Sequence, residues 1–274
     1  MSESVKDYAA LKFRDGAADA CDERLVVEEP LEIRLAGRRF TVTMRTPGHD
    51  EELITGFLLA EGLVTMRADI DEIRHVRSSK GEPEPNVFDV ILRVKAEELS
   101  ERLKRNFVLS SSCGVCGKTS IESLEQRIAI VSSDLHVPSG TITALPSLMN
   151  EAQQIFAATG GLHAAALFDA SVADAPGLIV LREDVGRHNA VDKVIGYAVM
   201  NDGLPLRSSI LMVSGRVSFE IVQKTAAAGI PLLCAVSAPS SLGVELADEL
   251  GLTLIGFLRG NSFNVYTHRE RIIL

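Results

Sequence analysis

The chain lacks most features that would place it at a glance. None of its apolar runs, of which Ile230 to Ala238 is typical of the longest, approaches the roughly 20 residues of a membrane-spanning helix. Its first 24 residues, "MSESVKDYAALKFRDGAADACDER", contain no apolar h-region, so neither a signal peptide nor a membrane anchor is expected. It has no basic excess: 28 Lys and Arg stand against 37 Asp and Glu, a net charge of −9. That disfavours nucleic acid as a partner, although a small basic pocket fits inside an acidic chain. Four cysteines in 274 residues are too few for a disulfide scaffold, and cytoplasm with reduced thiols is the expected setting. There is no Gly-x-Gly-x-x-Gly and no Walker-type loop, which argues against a standard dinucleotide fold or an ATPase. Internal repeats and low-complexity tracts are also missing.

What is present is globular. A hydrophobic share of 46% and a charged share of 24% are ordinary, and the length allows one large domain or two unequal ones. Residues 1–24 read as a flexible arm. Residues 25–109 read as a small α+β unit: a hairpin around Ala36-Gly37-Arg38, a helix opening near Asp50 and stopping at Gly62, and two strands, "DEIRHVR" and "NVFDVILRV", joined by a polar loop over 78–86. A short charged helix, "AEELSERLKR", follows. Residues 110–140 hold a Cys-x-x-Cys loop, a helix near 119–130 and a linker, "SSDLHVPSG". Residues 141–274 form the larger module. It opens with a helix, "LPSLMNEAQQIFAAT", and then alternates strands with helices, so a mostly parallel sheet covered on both faces is expected.

Four strand ends in that module share a chemistry. "GLIVL" runs into Arg182-Glu183-Asp184-Val185-Gly186-Arg187-His188, "ILMV" into Ser214-Gly215-Arg216, "LLCAV" into Ser237-Ala238-Pro239-Ser240-Ser241, and "LIGFL" into Arg259-Gly260-Asn261-Ser262. On parallel strands these turns meet at the carboxyl edge, where open α/β folds bind ligands. Glycine admits close backbone approach to phosphate, helix N-termini add positive charge, and Arg supplies forked donors. A pocket for a phosphorylated ligand is expected there.

The stretch "SSSCGVCGKT" places Cys113 and Cys116 four positions apart counting both ends. A structural zinc needs two further ligands. Cys234 reads as a core residue, Cys21 has no neighbour, and the six histidines are scattered. A thioredoxin-type dithiol would sit at a helix N-terminus after a strand, whereas Ser and Gly flanks point to a mobile loop. Such a loop suits a thiolate that takes sulfur in one place and delivers it in another, with Lys118 favouring the thiolate. An incidental pair remains the bland reading.

Taken together, "TPGHDEELITGFLLAEG", "SSCGVCGKTSIE", "TGGLHAAALFD", "REDVGRHNAVDKVIG", "SGRVSFEIVQK", "AVSAPSSL" and "GFLRGNSFNVYTH" resemble the FdhD/NarQ family of formate dehydrogenase accessory sulfurtransferases, over roughly residues 25–272. The resemblance implies a sulfurtransferase that takes sulfur from a cysteine desulfurase as a persulfide. It passes that sulfur to a molybdenum or tungsten bis(molybdopterin guanine dinucleotide) cofactor bound for the formate dehydrogenase catalytic subunit. It implies Cys113 as the persulfide carrier with Cys116 assisting. It also implies Phe257, Leu258, Arg259, Gly260, Asn261 and Ser262 as a cofactor-binding segment. The turns at the carboxyl edge add Gly186, Arg187, His188, Ser214, Gly215 and Arg216 to these candidates. The resemblance further implies a cytidine deaminase-like three-layer domain without deaminase chemistry. His188 opens a helix as in His-x-Glu, but Ala190 takes the Glu place and no cysteine follows at Ser214 to Ser218. No zinc is expected, and a homodimer is. The competing readings are a redox-sensing, nucleotide-binding cofactor chaperone and a zinc hydrolase.

Other residues carry smaller expectations. His188 is expected at the ligand rather than as a cap of its helix, and His163 at a strand end or the site. Glu183 and Asp184 are expected either at guanine or ribose or paired with Arg182 and Arg187. His49 and Asp50 are expected as helix caps, Phe257 and Phe263 as core or pocket wall, and Lys193 in solvent.

Overall fold

A computed structural model describes residues 4–93, 128–171 and 176–274, and the elements named below belong to those residues. The segment read as a flexible arm contains a hairpin, β1 (Val5–Arg14) and β2 (Ala17–Val26), paired in register from Val5↔Val26 to Arg14↔Ala17. Its turn is Asp15-Gly16, both residues at positive φ, the dipeptide that matches the twist of a tight hairpin. Leu11 and Phe13 on β1 are exposed.

The next unit follows its sequence pattern. β3 (Glu29–Leu35) and β4 (Arg38–Arg45) turn through Ala36 and Gly37, both at positive φ. Alternate residues Leu31, Ile33 and Leu35 point inward. Helix α1 (Asp50–Ala60) buries Leu53, Ile54, Leu58 and Leu59, each contributing about 2 kcal/mol relative to exposure. It ends where Gly62, at φ 67, donates back to Leu59. β5 (Ile70–Arg77) and β6 (Pro83–Leu92) complete a sheet of order β4-β3-β6-β5, with β3 and β6 parallel. The loop between β5 and β6 is shorter than expected because β6 begins at Pro83.

The larger module begins within the presumed linker: β7 (Val137–Pro138) leads directly into α2 (Ser139–Ala152). The single helix expected over 145–159 is two, since the backbone leaves helical geometry at Gln153 before α3 (Gln154–Thr159). Then come β8 (His163–Asp169), β9 (Gly177–Asp184), α4 (Arg187–Met200), β10 (Ser209–Val213), α5 (Phe219–Ala227), β11 (Leu232–Ala235), α6 (Ser241–Glu249), β12 (Thr253–Arg259), β13 (Ser262–Val265) and β14 (Ile272–Ile273), which pairs with β7.

The six-stranded sheet has the order β13-β12-β11-β10-β8-β9. Here the expectation of a mostly parallel, cytidine deaminase-like sheet is corrected. Only β10–β11 and β11–β12 are parallel, while β10–β8, β8–β9 and β12–β13 are antiparallel. The physical reason is connection length. Seven residues join β8 to β9 and two join β12 to β13, too few for the crossover that parallel neighbours need.

Both faces are covered. On one, Leu211, Val213, Ala165 and Leu167 meet α4 and α5 through Val191, Val194, Ile221 and Val222, and this core runs on into β3 and α1. On the other, Ile210, Met212, Phe168 and Cys234 meet Ile142, Leu145 and Met149 of α2. The two modules therefore share one core.

Candidate functional site

β9 runs against β8, β8 against β10, and β10 with β11 and β12. β9, β10, β11 and β12 thus end at the same edge even though the sheet is mixed. β8 starts there, with His163 opposite Asp184.

Three consecutive residues at the end of β9 each hold a different element. The Arg182 guanidinium clasps Glu52 of α1, with Nε 2.5 Å from Oε2 and Nη2 2.7 Å from Oε1. Burial raises the Glu52 pKa, but Arg182 and His49 outweigh it and hold the carboxyl below its ordinary range. Glu183 accepts from the amides of Ile155 and Phe156 at 2.9 and 2.7 Å, so it caps the first turn of α3. Asp184 is fully buried; it accepts from Thr46 N, Gly186 N and Asn189 Nδ2 and pairs with Lys193 Nζ at 2.7 Å. Within these bonds Glu183 and Asp184 are engaged by protein groups, and Asp184 pairs with Lys193 where Arg182 or Arg187 was expected. Lys193 is buried, not solvated, because its ammonium has that carboxylate and the Thr46 carbonyl.

With those three turned inward, Arg187 and His188 are left at the start of α4. Among the described residues Arg187 Nε is buried without a hydrogen-bond partner, the kind of group that calls for an acceptor. Arg187 packs beside Gly215, where a Cβ would lie 3.4 Å from His163 Nδ1 and 3.5 Å from Arg187 Cδ. Arg216 is exposed next to it. Burial and the charges of Arg187 and Arg216 push His163 below the ordinary imidazole range, offsetting Asp184. His188 Nε2 lies 3.0 Å from Ser218 Oγ and 3.1 Å from Glu220 Oε2. Burial, with Lys224, Arg187 and His163 nearby, takes His188 down to about 3. A neutral ring beside a carboxylate carries its proton on Nε2, which leaves Nδ1 with a lone pair. Ser214 Oγ accepts from Ala164 N, tying the β10 turn to β8.

The remaining turns are built differently. Ser240 caps α6 by accepting from Gly243 N at 3.1 Å. Phe257 has a positive φ of 52 and is exposed, Leu258 is fully buried, and Arg259 Nε donates to Val236 O at 3.1 Å. Gly260 has φ 53, and a Cβ there would meet open space; Asn261 and Ser262 are exposed. Phe263 packs against the α2 side of the core, but exposed Phe257 does not fit the core expectation. Beside this edge opens a groove of about 630 Å³ between α2, α3 and the sheet, lined by Met149, Asn150, Phe156, His163, Val185 and Ser214 among others.

Of the expected helix caps, His49 holds the N-cap position in a left-handed conformation without a capping side-chain bond, and Asp50 pairs with Arg45. Cys113, Cys116 and Lys118 lie outside the described residues, as does the expected helix "AEELSERLKR". Cys21 sits on β2, and burial pushes the Cys234 thiol far up. Among the described residues no three His, Cys, Asp or Glu side chains come together to hold a metal, and no helix is long and apolar enough to cross a membrane. Sequence reasoning missed Thr46 and the α3 part of the groove. Thr46 meets Asp184 across 138 positions, and no local pattern carries such a contact.

A two-module α/β protein with a basic sheet edge is a class shared by other chains. The chain belongs to the FdhD/NarQ family, whose model matches residues 26–273. It is similar to the sulfur carrier protein FdhD of Mycolicibacterium paratuberculosis, 52% identical over 261 residues and 94% of each chain. The sulfur carrier protein FdhD of Saccharolobus solfataricus is 43% identical over 275 residues, 99% of this chain and 100% of that one. A crystal structure assigned to a formate dehydrogenase accessory protein of Desulfotalea psychrophila superimposes with a TM-score of 0.75 at 26% identity, over 98% of this chain and 100% of that one.

Proposed function

We propose that this chain does what its relatives are named for and carries sulfur, in the maturation of formate dehydrogenase. Family membership over nearly the whole chain supports that role. Cys113 is assigned the cargo. Its thiolate attacks the terminal sulfur of a desulfurase persulfide, forming a Cys113 persulfide and releasing the desulfurase thiolate. Release of that sulfur as sulfide takes two electrons. Attack of the Cys116 thiolate on Cys113 Sγ supplies them and leaves a Cys113–Cys116 disulfide.

The acceptor in this reading is the molybdenum or tungsten bis(guanine dinucleotide) cofactor, seated at the edge formed by residues 184–189, 214–216, 237–241 and 257–262. The observation that carries the seat is the convergence of four strand ends on one edge that presents Arg187, Arg216 and Arg259. The orphaned Arg187 Nε and the open space at Gly260 fit an anionic ligand, such as a pyrophosphate. A two-fold homodimer would give each of the two dinucleotides an equivalent edge. GDP, the fragment that carries guanine and a diphosphate, tests the seat. Arg187→Ala and Arg259→Ala should each weaken GDP binding at least tenfold, as loss of a charge-assisted contact does. Unchanged GDP affinity in Arg187→Ala contradicts the seat.

A further inference from the structure

Thr46 comes from the smaller module, at the exit of β4, yet all three of its polar groups are used on the cofactor edge. Its amide donates to Asp184 Oδ2 at 3.1 Å, its hydroxyl accepts from Val185 N at 3.2 Å, and its carbonyl accepts from Lys193 Nζ at 2.8 Å. Two residues earlier, on β4, Met44 O accepts from Asn189 Nδ2 at 2.7 Å, and that amide also donates to Asp184 Oδ1 at 3.0 Å. Asp184 Oδ1 also receives Gly186 N at 2.8 Å. Thr46, Asp184 and Lys193 are all buried.

We infer that Thr46 and Asn189 are positioning residues, which with Asp184 and Lys193 lock the 184–189 turn in the form that presents Arg187 and His188 to the ligand. This rests on the proposed seat. The geometry excludes ligand contact for Thr46, which is enclosed between β4, β9 and α4. It also makes the smaller module part of the binding device. Asn189 Nδ2 and Lys193 Nζ each divide their bonds between Asp184 and the backbone of the smaller module, at Met44 O and Thr46 O. A half-buried turn held by a buried carboxylate with every lone pair engaged has one arrangement, and a missing bond releases it.

The test compares Thr46→Val, which keeps shape and removes the hydroxyl, with Thr46→Ser, which keeps the hydroxyl. Asn189→Ala is the second variant and Arg187→Ala the control. GDP affinity is measured by titration well below the melting temperature, with folding checked by circular dichroism. The expected result is about tenfold weaker binding in Thr46→Val and Asn189→Ala, near wild-type affinity in Thr46→Ser, and larger loss in Arg187→Ala. If Thr46→Val and Asn189→Ala only melt earlier and bind GDP as wild type does, while Arg187→Ala does not, the inference is overturned and the seat stands. Should Thr46→Val fail to fold, Asn189→Ala decides alone. Wild-type GDP binding by Arg187→Ala overturns the seat, and the inference with it.

Discussion

Gly56 on α1 lies directly against the backbone of Asp192 on α4. A Cβ built at Gly56 would be 1.9 Å from the Asp192 carbonyl oxygen, and one at Gly196 would be 1.8 Å from the Glu52 carbonyl oxygen. The modules are joined backbone to backbone at these two glycines, with the Arg182–Glu52 clasp beside them. Neither obstacle is a flexible side chain.

Gly56→Ala and Gly196→Ala should therefore each destabilise the protein by about 1–3 kcal/mol or more, the cost of overpacking a close contact. Urea unfolding measures this directly. Gly140→Ala, where a Cβ meets nothing, is the control and should change little by clash. Equal midpoints for all three variants would show that the helices separate freely.

His188 gives the protein an acid-sensitive component. Its folded pKa of about 3 lies below the ordinary value of 6.5. Between the two, the unfolded chain binds a proton that the folded chain refuses, so stability is lost as pH falls below about 6.5 and is unaffected above it. Relative to His188→Gln, the wild type should lose roughly 2 kcal/mol between pH 6.5 and 5, at about 1.4 kcal/mol per unit. Parallel stability curves for the two proteins over that range would show that His188 titrates normally in the fold.

The thiols should separate by reactivity. Cys234 is fully buried on β11 with its pKa driven up, whereas Cys21 is half-buried on the β1–β2 hairpin. Iodoacetamide at neutral pH should alkylate Cys21 in the native protein and leave Cys234 untouched until denaturant is added. Peptide mass mapping reads both. Native labelling of Cys234 at the rate of Cys21 would mean that the β11 core opens readily.

Much of the larger module was legible because its strands and helices carry unambiguous apolar patterns. Strands at 163–169, 177–184, 209–213 and 253–259 and the helix at 187–200 fall where the sequence places them. Strand direction was misread, because an apolar run says nothing about polarity. The short β8–β9 connection held the needed signal. The hairpin over 5–26 also had one, the Asp15-Gly16 turn. At the edge, residue types pointed to the right turns but not to each role. Glu183, Asp184 and Lys193 looked available because their partners Ile155, Phe156 and Thr46 lie far off in sequence or in another element. Arg187 could be separated from them only once those partners were known.

In the proposed function Cys113 is the carrier of sulfur. The protein is incubated with a cysteine desulfurase and cysteine, and its mass is then mapped to the peptide that holds "SSSCGVCGKT". One sulfur, about 32 Da, should appear on Cys113, persist in Cys116→Ala and vanish in Cys113→Ala. No added sulfur on the Cys116→Ala protein, in which no second thiol can expel it, or equal loading of the Cys113→Ala protein, would contradict it.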